Sequence, residues 1–221
     1  MSVDDLYKSI LFLIRKNQSG SFSSTDFGYA FNGEQAAYQS DLLGRFQARS
    51  NGKSGFNTGL IENETIMTKL MPFIKSYALP IVVGSGTKPT DFIYTLAVRI
   101  NNAKAFQVNH DEIWSVKDDV IDPPSIADNS YYYTEYGNYY SFLPNTVTAA
   151  ELDYVGAPPD VRWAFTLSGG QQVYDSGNSA QSLWDDNSNK EICARILKRL
   201  GVSLSSQEFE QFGQSVINSG N

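Results

Sequence analysis

One histidine and one cysteine set the limits of the chemistry open to this sequence of 221 residues. His110 by itself leaves few ways to build a histidine-based metal site or a Ser–His–Asp triad. Cys193 by itself excludes an internal disulfide framework and a cysteine-rich zinc or iron–sulfur centre. His110 falls at the first position of an Asn109–Glu112 capping box, where a solvated histidine is expected. Cys193 lies between Ile192 and Ile196/Leu197 on a C-terminal helix, where it reads as a small apolar core residue. Carboxylates lie close together in sequence at Asp118/Asp119, Asp185/Asp186 and Glu208/Glu210. A glycosidase needs two acids facing one another across a groove, whereas neighbouring surface acids are normally just solvated. Gly84-Ser85-Gly86 lacks the third glycine and following helix of a dinucleotide fingerprint, and Gly52-Lys53-Ser54 lacks the upstream glycine of a P-loop. The reading therefore assigns no catalytic residue, no metal ligand and no cofactor.

The unusual feature is a concentration of tyrosine. Of the 13 in the chain, six lie close together, at Tyr131, Tyr132, Tyr133, Tyr136, Tyr139 and Tyr140. They occupy two strand-like runs joined at Gly137-Asn138, a strong hairpin signal. Side chains on a strand alternate between faces, so tyrosine falls on both and some rings must point away from the core. Tyrosine offers a large contact area at low entropic cost and is enriched at interfaces. All six are therefore interface candidates, with cross-strand aromatic packing inside the domain as the alternative. Phe56, in the Ser50–Gly59 loop, and Phe212, beside the Gly213–Asn221 tail, complete the set of candidate contacts.

The elements that must carry these residues change character along the chain. Val3, Leu6, Tyr7, Ile10, Leu13 and Ile14 form one apolar stripe on a helix over Ser2–Lys16, with Asp4 and Asp5 at its positive end. A second helix starts at the Ser23/Ser24 cap and runs towards Arg49, carrying Phe27, Ala30, Phe31, Tyr38, Leu42 and Phe46. Its Gly28 and Gly33 cost about 1 kcal/mol each against alanine, so tertiary packing must hold it. A glycine- and serine-rich loop over Ser50–Gly59 precedes a third helix, about Asn63–Met71, stopped near Pro72. Strands then follow at Ile74–Val83, Phe92–Ile100 and Ala103–Val108, a short helix behind the Asn109 cap, and the tyrosine hairpin. Further strands are expected at Thr148–Val155, Val161–Leu167 and Gln171–Tyr174. Asn187 or Asn189 caps a helix that Gly201 closes, and Ser205 or Ser206 caps a last short helix. The order helices, strands, helices is α+β segregation: a small bundle of N- and C-terminal helices with a central, mainly antiparallel β region. The expected division is 1–72 for the N-terminal helices, 73–180 for the β-rich region and 181–221 for C-terminal helices packing on the N-terminal bundle.

Composition narrows the function classes. The apolar residues make up 41% of the chain and the 17 glycines raise the sum to about 49%, ordinary for a globular protein. No apolar run approaches the roughly 18 residues of a membrane span. A net charge of −7 with only 19% charged residues suits poorly a protein that wraps nucleic-acid phosphates, which needs clustered Lys and Arg. The Met-Ser-Val-Asp-Asp start lacks the basic region of a secretion signal, so synthesis in the cytoplasm is expected.

Several short landmarks occur in a familiar order. They are Lys16–Gly20 closing the first helix, Phe22–Phe27 opening the second, Lys69–Phe73 before the first strand and Pro89–Phe92 before a later one. Glu112–Asp119 then runs into Ile121–Pro124, and Glu151–Pro159 precedes Trp163 and a final helix behind an Asp/Asn/Glu segment. Together they resemble the neck or ring structural proteins of crAss-like tailed bacteriophages. The Ser50–Gly59 loop and the tyrosine hairpin lie outside the landmarks that carry this resemblance.

The resemblance implies a non-enzymatic virion protein. It implies copies arranged as a ring of twelve at the head–tail junction, beneath the portal and against other neck or tail ring proteins, made in the host bacterial cytoplasm. DNA would pass through the channel without specific binding, a passage a net negative ring would not retard, and no membrane is involved. Two other readings stand beside it: a carbohydrate- or protein-binding module using the tyrosine hairpin as its platform, and a hydrolase using an acid pair.

Overall fold

The alternation of apolar and polar residues switches period after Pro72, and the structure follows it. In a computed structural model, which describes residues 1–16, 22–50, 58–120 and 123–201, the chain divides into two units. One comprises residues 1–72 with 158–221, the other residues 73–157. Among the described residues, five α-helices and a mostly antiparallel sheet of eight strands make the chain α+β.

The first unit is built on helices α1 (Val3–Lys16), α2 (Ser24–Ser50), α3 (Thr58–Leu70) and α5 (Asp186–Arg199). The stripe expected on α1 is its buried face. Ser23 and Asp26 cap α2 reciprocally: the Asp26 amide donates to Ser23 Oγ at 3.1 Å, and the Ser23 amide donates to Asp26 Oδ2 at 3.0 Å. On α2 the buried stripe runs through Phe27, Phe31, Gln35, Tyr38, Gln39 and Leu42. The two glutamines interrupt its apolar pattern. α3 starts at Thr58 rather than Asn63, with Gly59 in its first turn, where one glycine costs about 1 kcal/mol. α5 is capped by Asp185, whose carboxylate accepts from the Ser188 amide at 2.5 Å, rather than by Asn187 or Asn189. Gly201 follows the helix at φ +74°, the left-handed conformation that glycine adopts most cheaply. The helix expected after Ser205 lies outside the described residues.

Residues 158–180, grouped with the β region in the sequence reading, belong with the helices. Trp163 and Val161 are buried there: the Trp163 ring lies 4.4 Å from Tyr7 between centroids, and its indole N–H donates to Asp4 Oδ1 at 3.0 Å. Asn32 on α2 grips the backbone of Val161 twice, accepting its N–H at 2.8 Å and donating to its carbonyl at 3.2 Å. Strands β9 (Phe165–Ser168) and β10 (Gln171–Tyr174) form a separate two-stranded sheet around the Gly169-Gly170 turn.

The second unit holds strands β1 (Ile74–Val82), β2 (Ser85–Thr87), β3 (Phe92–Ile100), β4 (Ala103–Lys104), β5 (Phe106–Gln107), β6 (Tyr132–Tyr136), β7 (Tyr139–Leu143) and β8 (Ala149–Gly156), with the short helix α4 (Ile113–Lys117). Their order is β4-β3-β8-β1-β2-β7-β6-β5. The two ends of that order are consecutive in sequence, separated only by Ala105. The segment 103–107 therefore pairs with β3 through β4 and with β6 through β5, and the sheet closes on itself as a barrel. At the crossover the Ala105 amide donates to the Val98 carbonyl at 2.9 Å and its small side chain is buried.

Alternate residues line the barrel interior along much of the sheet, with β3 irregular between Phe92 and Tyr94 and between Thr95 and Ala97. The interior includes Leu79 and Ile81, Val98 and Ile100, Tyr131 and Tyr133, Tyr140 and Phe142, and Leu152 and Tyr154. Gly86 on β2 lets Leu79 close over the strand, because a Cβ there would sit 2.9 Å from the leucine side chain. Asn109 and Glu112 form a turn rather than a capping box. Glu112 itself stands at the N-cap of α4 with no side-chain cap, and Asn109 Nδ2 donates to its carboxylate at 3.2 Å.

Candidate interaction surface

The hairpin of β6 and β7 forms at Gly137-Asn138, with Tyr136 opposite Tyr139 and Tyr133 opposite Phe142. Strand alternation then sorts the six tyrosines. Tyr131, Tyr133 and Tyr140 are buried inside the barrel, which corrects their assignment as interface residues. Tyr133 meets Tyr140 edge-on at 5.7 Å between ring centroids. Burial, the larger cause for both, holds the Tyr133 and Tyr140 hydroxyls far above the ordinary phenol range. Tyr131 OH accepts from Asn101 Nδ2 at 3.1 Å. These rings are the barrel core.

Tyr132, Tyr136 and Tyr139 face outward. Tyr139 is 44% exposed and stacks on Tyr136, with ring centroids 5.2 Å apart and an angle of 14° between planes. His110 meets the same Tyr136 ring edge-on at 4.6 Å, so the lone histidine of the chain extends an aromatic cluster. Phe106 lies 6.2 Å from Tyr132 and is itself exposed. Phe56 and Phe212 lie outside the described residues.

Tyr136 also lines an open cavity of about 370 Å³, together with Val83, Trp114, Pro124, Leu143 and Pro144. Trp114, 63% exposed, lies beneath the Lys117 ammonium at 4.9 Å, and Val83 is 87% exposed at the β1–β2 turn. Val82 and Val120 add further exposed apolar surface in the same unit. The apolar side chains gathered at this cavity make it the candidate contact surface of the unit. Sequence reading missed Trp114 and Val83. An exposed tryptophan on a five-residue helix gives no periodic signal, and Val83 reads as the end of a strand.

One polar cluster lies inside the barrel wall. Lys88 Nζ lies 3.2 Å from Glu135 Oε2, and above the rings of Phe92 (4.4 Å) and Tyr140 (5.0 Å). Thr95 Oγ1 donates to the other Glu135 oxygen and lies 2.8 Å from Tyr140 OH. Neighbouring Asp91 takes Lys75 at 2.5 Å and the Tyr154 hydroxyl at 2.9 Å. The Lys75 ammonium, and then Tyr154, hold the Asp91 carboxyl below its usual range. Burial, and then Asp91, push the Tyr154 phenol up to about 12. Lys88 and Glu135 neutralise each other within the barrel wall, and Lys75 and Asp91 do so at its surface.

The remaining sequence candidates have structural roles. Cys193 is buried, and burial pushes its thiol up to about 12. Asp185 caps α5, Asp186 pairs with the chain's N-terminal ammonium at 2.5 Å, and Asp118 and Asp119 follow α4 at the surface. Gly84 forms the β1–β2 turn with Val83. Glu208, Glu210 and Gly52–Ser54 lie outside the described residues. Among the described residues no group of three metal-ligating side chains comes together, and no helix is long and apolar enough to cross a membrane. No protein-family model matches this sequence, and neither does any curated protein.

Proposed function

We propose that the chain is a structural subunit of a neck ring that joins the portal vertex of a tailed bacteriophage capsid to the tail and lines the DNA channel. The observation that carries this reading is apolar surface left open on both units. Trp114, Val82, Val83 and Val120 lie exposed on the barrel unit, and Phe12, Tyr29 and Leu167 on the helical unit. Such surface suits a subunit that is covered by neighbours in an assembly. The ordered landmarks from Lys16–Gly20 to Trp163 supply the kind of assembly. Net charge −7 suits a channel through which DNA slides without being held.

Co-sedimentation with the portal oligomer of the same genome, followed by negative-stain imaging of the pellet, tests the proposal. A second ring stacked coaxially on the portal is the expected result. Protein that stays in the supernatant, even with the remaining neck proteins added, counts against it.

A second reading rests on the Tyr136–Tyr139 stack beside the cavity: a carbohydrate- or protein-binding module. Saturable binding in a glycan screen, lost on Tyr136→Ser, would favour it over the ring.

A further inference from the structure

The β9–β10 hairpin is a two-stranded sheet with two open edges. Among the described residues no strand pairs with the outer side of either β9 or β10, and nearly every residue in both strands is exposed. A two-stranded ribbon on its own is only marginally stable in water. Here it is held at its base, where Trp163 stacks on Phe165 at 5.7 Å and on Tyr174 at 6.0 Å. Beyond that base, Leu167 is 72% exposed.

The ladder fixes which backbone groups face outward. Ser168 pairs with Gln171 around the two-residue turn, and Thr166 pairs with Val173. These are the hydrogen-bonded pairs of the antiparallel pattern, because pairs flanking a two-residue turn alternate from a bonded one. The N–H and C=O of Leu167 therefore point away from the hairpin on one edge, and those of Gln172 on the other. Exposed edges are usually protected by lysine, proline or a bulge. Phe165–Tyr174 contains no charged residue and no proline, in a chain whose net charge is −7. Copies that repel one another elsewhere meet no repulsion along this ribbon.

We propose that the hairpin joins neighbouring copies of this chain head to tail, the outer edge of β10 in one copy pairing with the outer edge of β9 in the next. The inference rests on the ring reading. Subunits related by rotation about one axis present their ribbons in the same orientation, so β10 of one lies antiparallel to β9 of its neighbour. The pattern β9-β10-β9-β10 then continues as one antiparallel sheet. Such a contact is heterologous and closes only as a ring, where every open edge is covered. Backbone hydrogen bonding supplies the affinity, as in strand addition generally.

Two single variants of the full chain test this, Leu167→Cys and Gln172→Cys, treated with a short bismaleimide alone and mixed. Cys193 is buried, so the new thiol is the one that reacts. The native mass of each sample is measured by light scattering, and its fold is checked by circular dichroism. Covalent dimer is expected in the mixture at ten-fold or more above either variant alone. Equal cross-linking of one variant by itself means like edges pair about a two-fold axis, and overturns the proposal. Oligomer without cross-link in any sample overturns it while leaving the ring reading intact. Monomer without cross-link, both in solution and in the portal pellet, also overturns it. Co-sedimentation of that same sample then decides the ring reading separately.

Discussion

Lys88 and Glu135 face each other inside the barrel wall, the ammonium 3.2 Å from a carboxylate oxygen and above the rings of Phe92 and Tyr140. The lysine side chain is only 8% exposed, so its charge is stabilised by this partner and these rings more than by water. Removing one member leaves the other charge poorly solvated. Glu135→Leu and Lys88→Met should each lower unfolding stability by about 2–3 kcal/mol in a urea titration. Lys88→Met combined with Glu135→Leu should recover most of that loss. A double variant as unstable as the sum of the singles would show that the two groups act independently.

The Asp91 triad gives stability a defined pH dependence. The folded-state carboxyl titrates below its unfolded value, so the unfolded chain binds the proton more readily. The contribution is complete above about pH 4 and is lost as pH falls through the folded value. Tyr154 acts at the other limit. Its phenol is raised to about 12, so its contribution is complete below about pH 10 and is lost between there and pH 12. Asp91→Asn should flatten the acid limb of a plot of melting temperature against pH, and Tyr154→Phe the alkaline limb. An acid limb unchanged in Asp91→Asn would assign the acid sensitivity to other carboxylates.

The tyrosine hairpin should divide cleanly under substitution. Tyr139→Ser removes an exposed ring and should change stability by no more than about 0.5 kcal/mol. Tyr133→Ser and Tyr140→Ser empty the barrel interior and should cost about 3 kcal/mol or more. On the ring reading, Tyr136→Ser and Tyr139→Ser impair assembly while leaving the melting transition in place. Urea titration and sedimentation of the same four variants separate the two classes.

Much of the fold was legible because periodicity reports burial directly. The α1 stripe, the Ser23 cap, the Gly137-Asn138 turn and the α+β order all follow from local pattern. Barrel closure was not legible, because it depends on Ala105 being small where one strand changes partner, a pairing between residues far apart in sequence. Strand signals carry no address, so sequence alone groups the β9–β10 segment with the β region. What assigns it to the helices is Trp163 against Tyr7 and Asn32 against Val161. The hairpin's composition predicted surface and core together. Only the register, with Tyr133 opposite Phe142, decides which ring is which.

Asn32 has an effect out of proportion to its size. Its side chain occupies both the donor and the acceptor of Val161, at 2.8 and 3.2 Å, and Gln35 Nε2 reaches the Pro159 carbonyl at 3.0 Å. Asn32→Leu keeps the volume and leaves both backbone groups without these partners, a cost of about 2–3 kcal/mol. Local release of 158–165 should follow, seen as faster amide hydrogen exchange at Val161 and Trp163. The barrel amides of Val98 and Leu152 should exchange as before. Equal acceleration in both sets would mean that the two units unfold together.

Val83 pays a backbone cost at the cavity rim. It turns the β1–β2 hairpin with φ +50°, followed by Gly84 at φ +71°, and a β-branched residue in the left-handed region is strained by about 1–3 kcal/mol. Asn-Gly is the sequence this two-residue turn favours. Val83 is also highly exposed, so little buried packing depends on its side chain. Val83→Asn should therefore raise stability by about 1 kcal/mol, measured as a higher urea midpoint at constant slope. The same change removes an apolar group from the cavity that Trp114 and Tyr136 line. If that cavity receives a neighbour, the variant is more stable alone and weaker in assembly. A variant that gains stability and assembles as well as the parent would place the contact elsewhere.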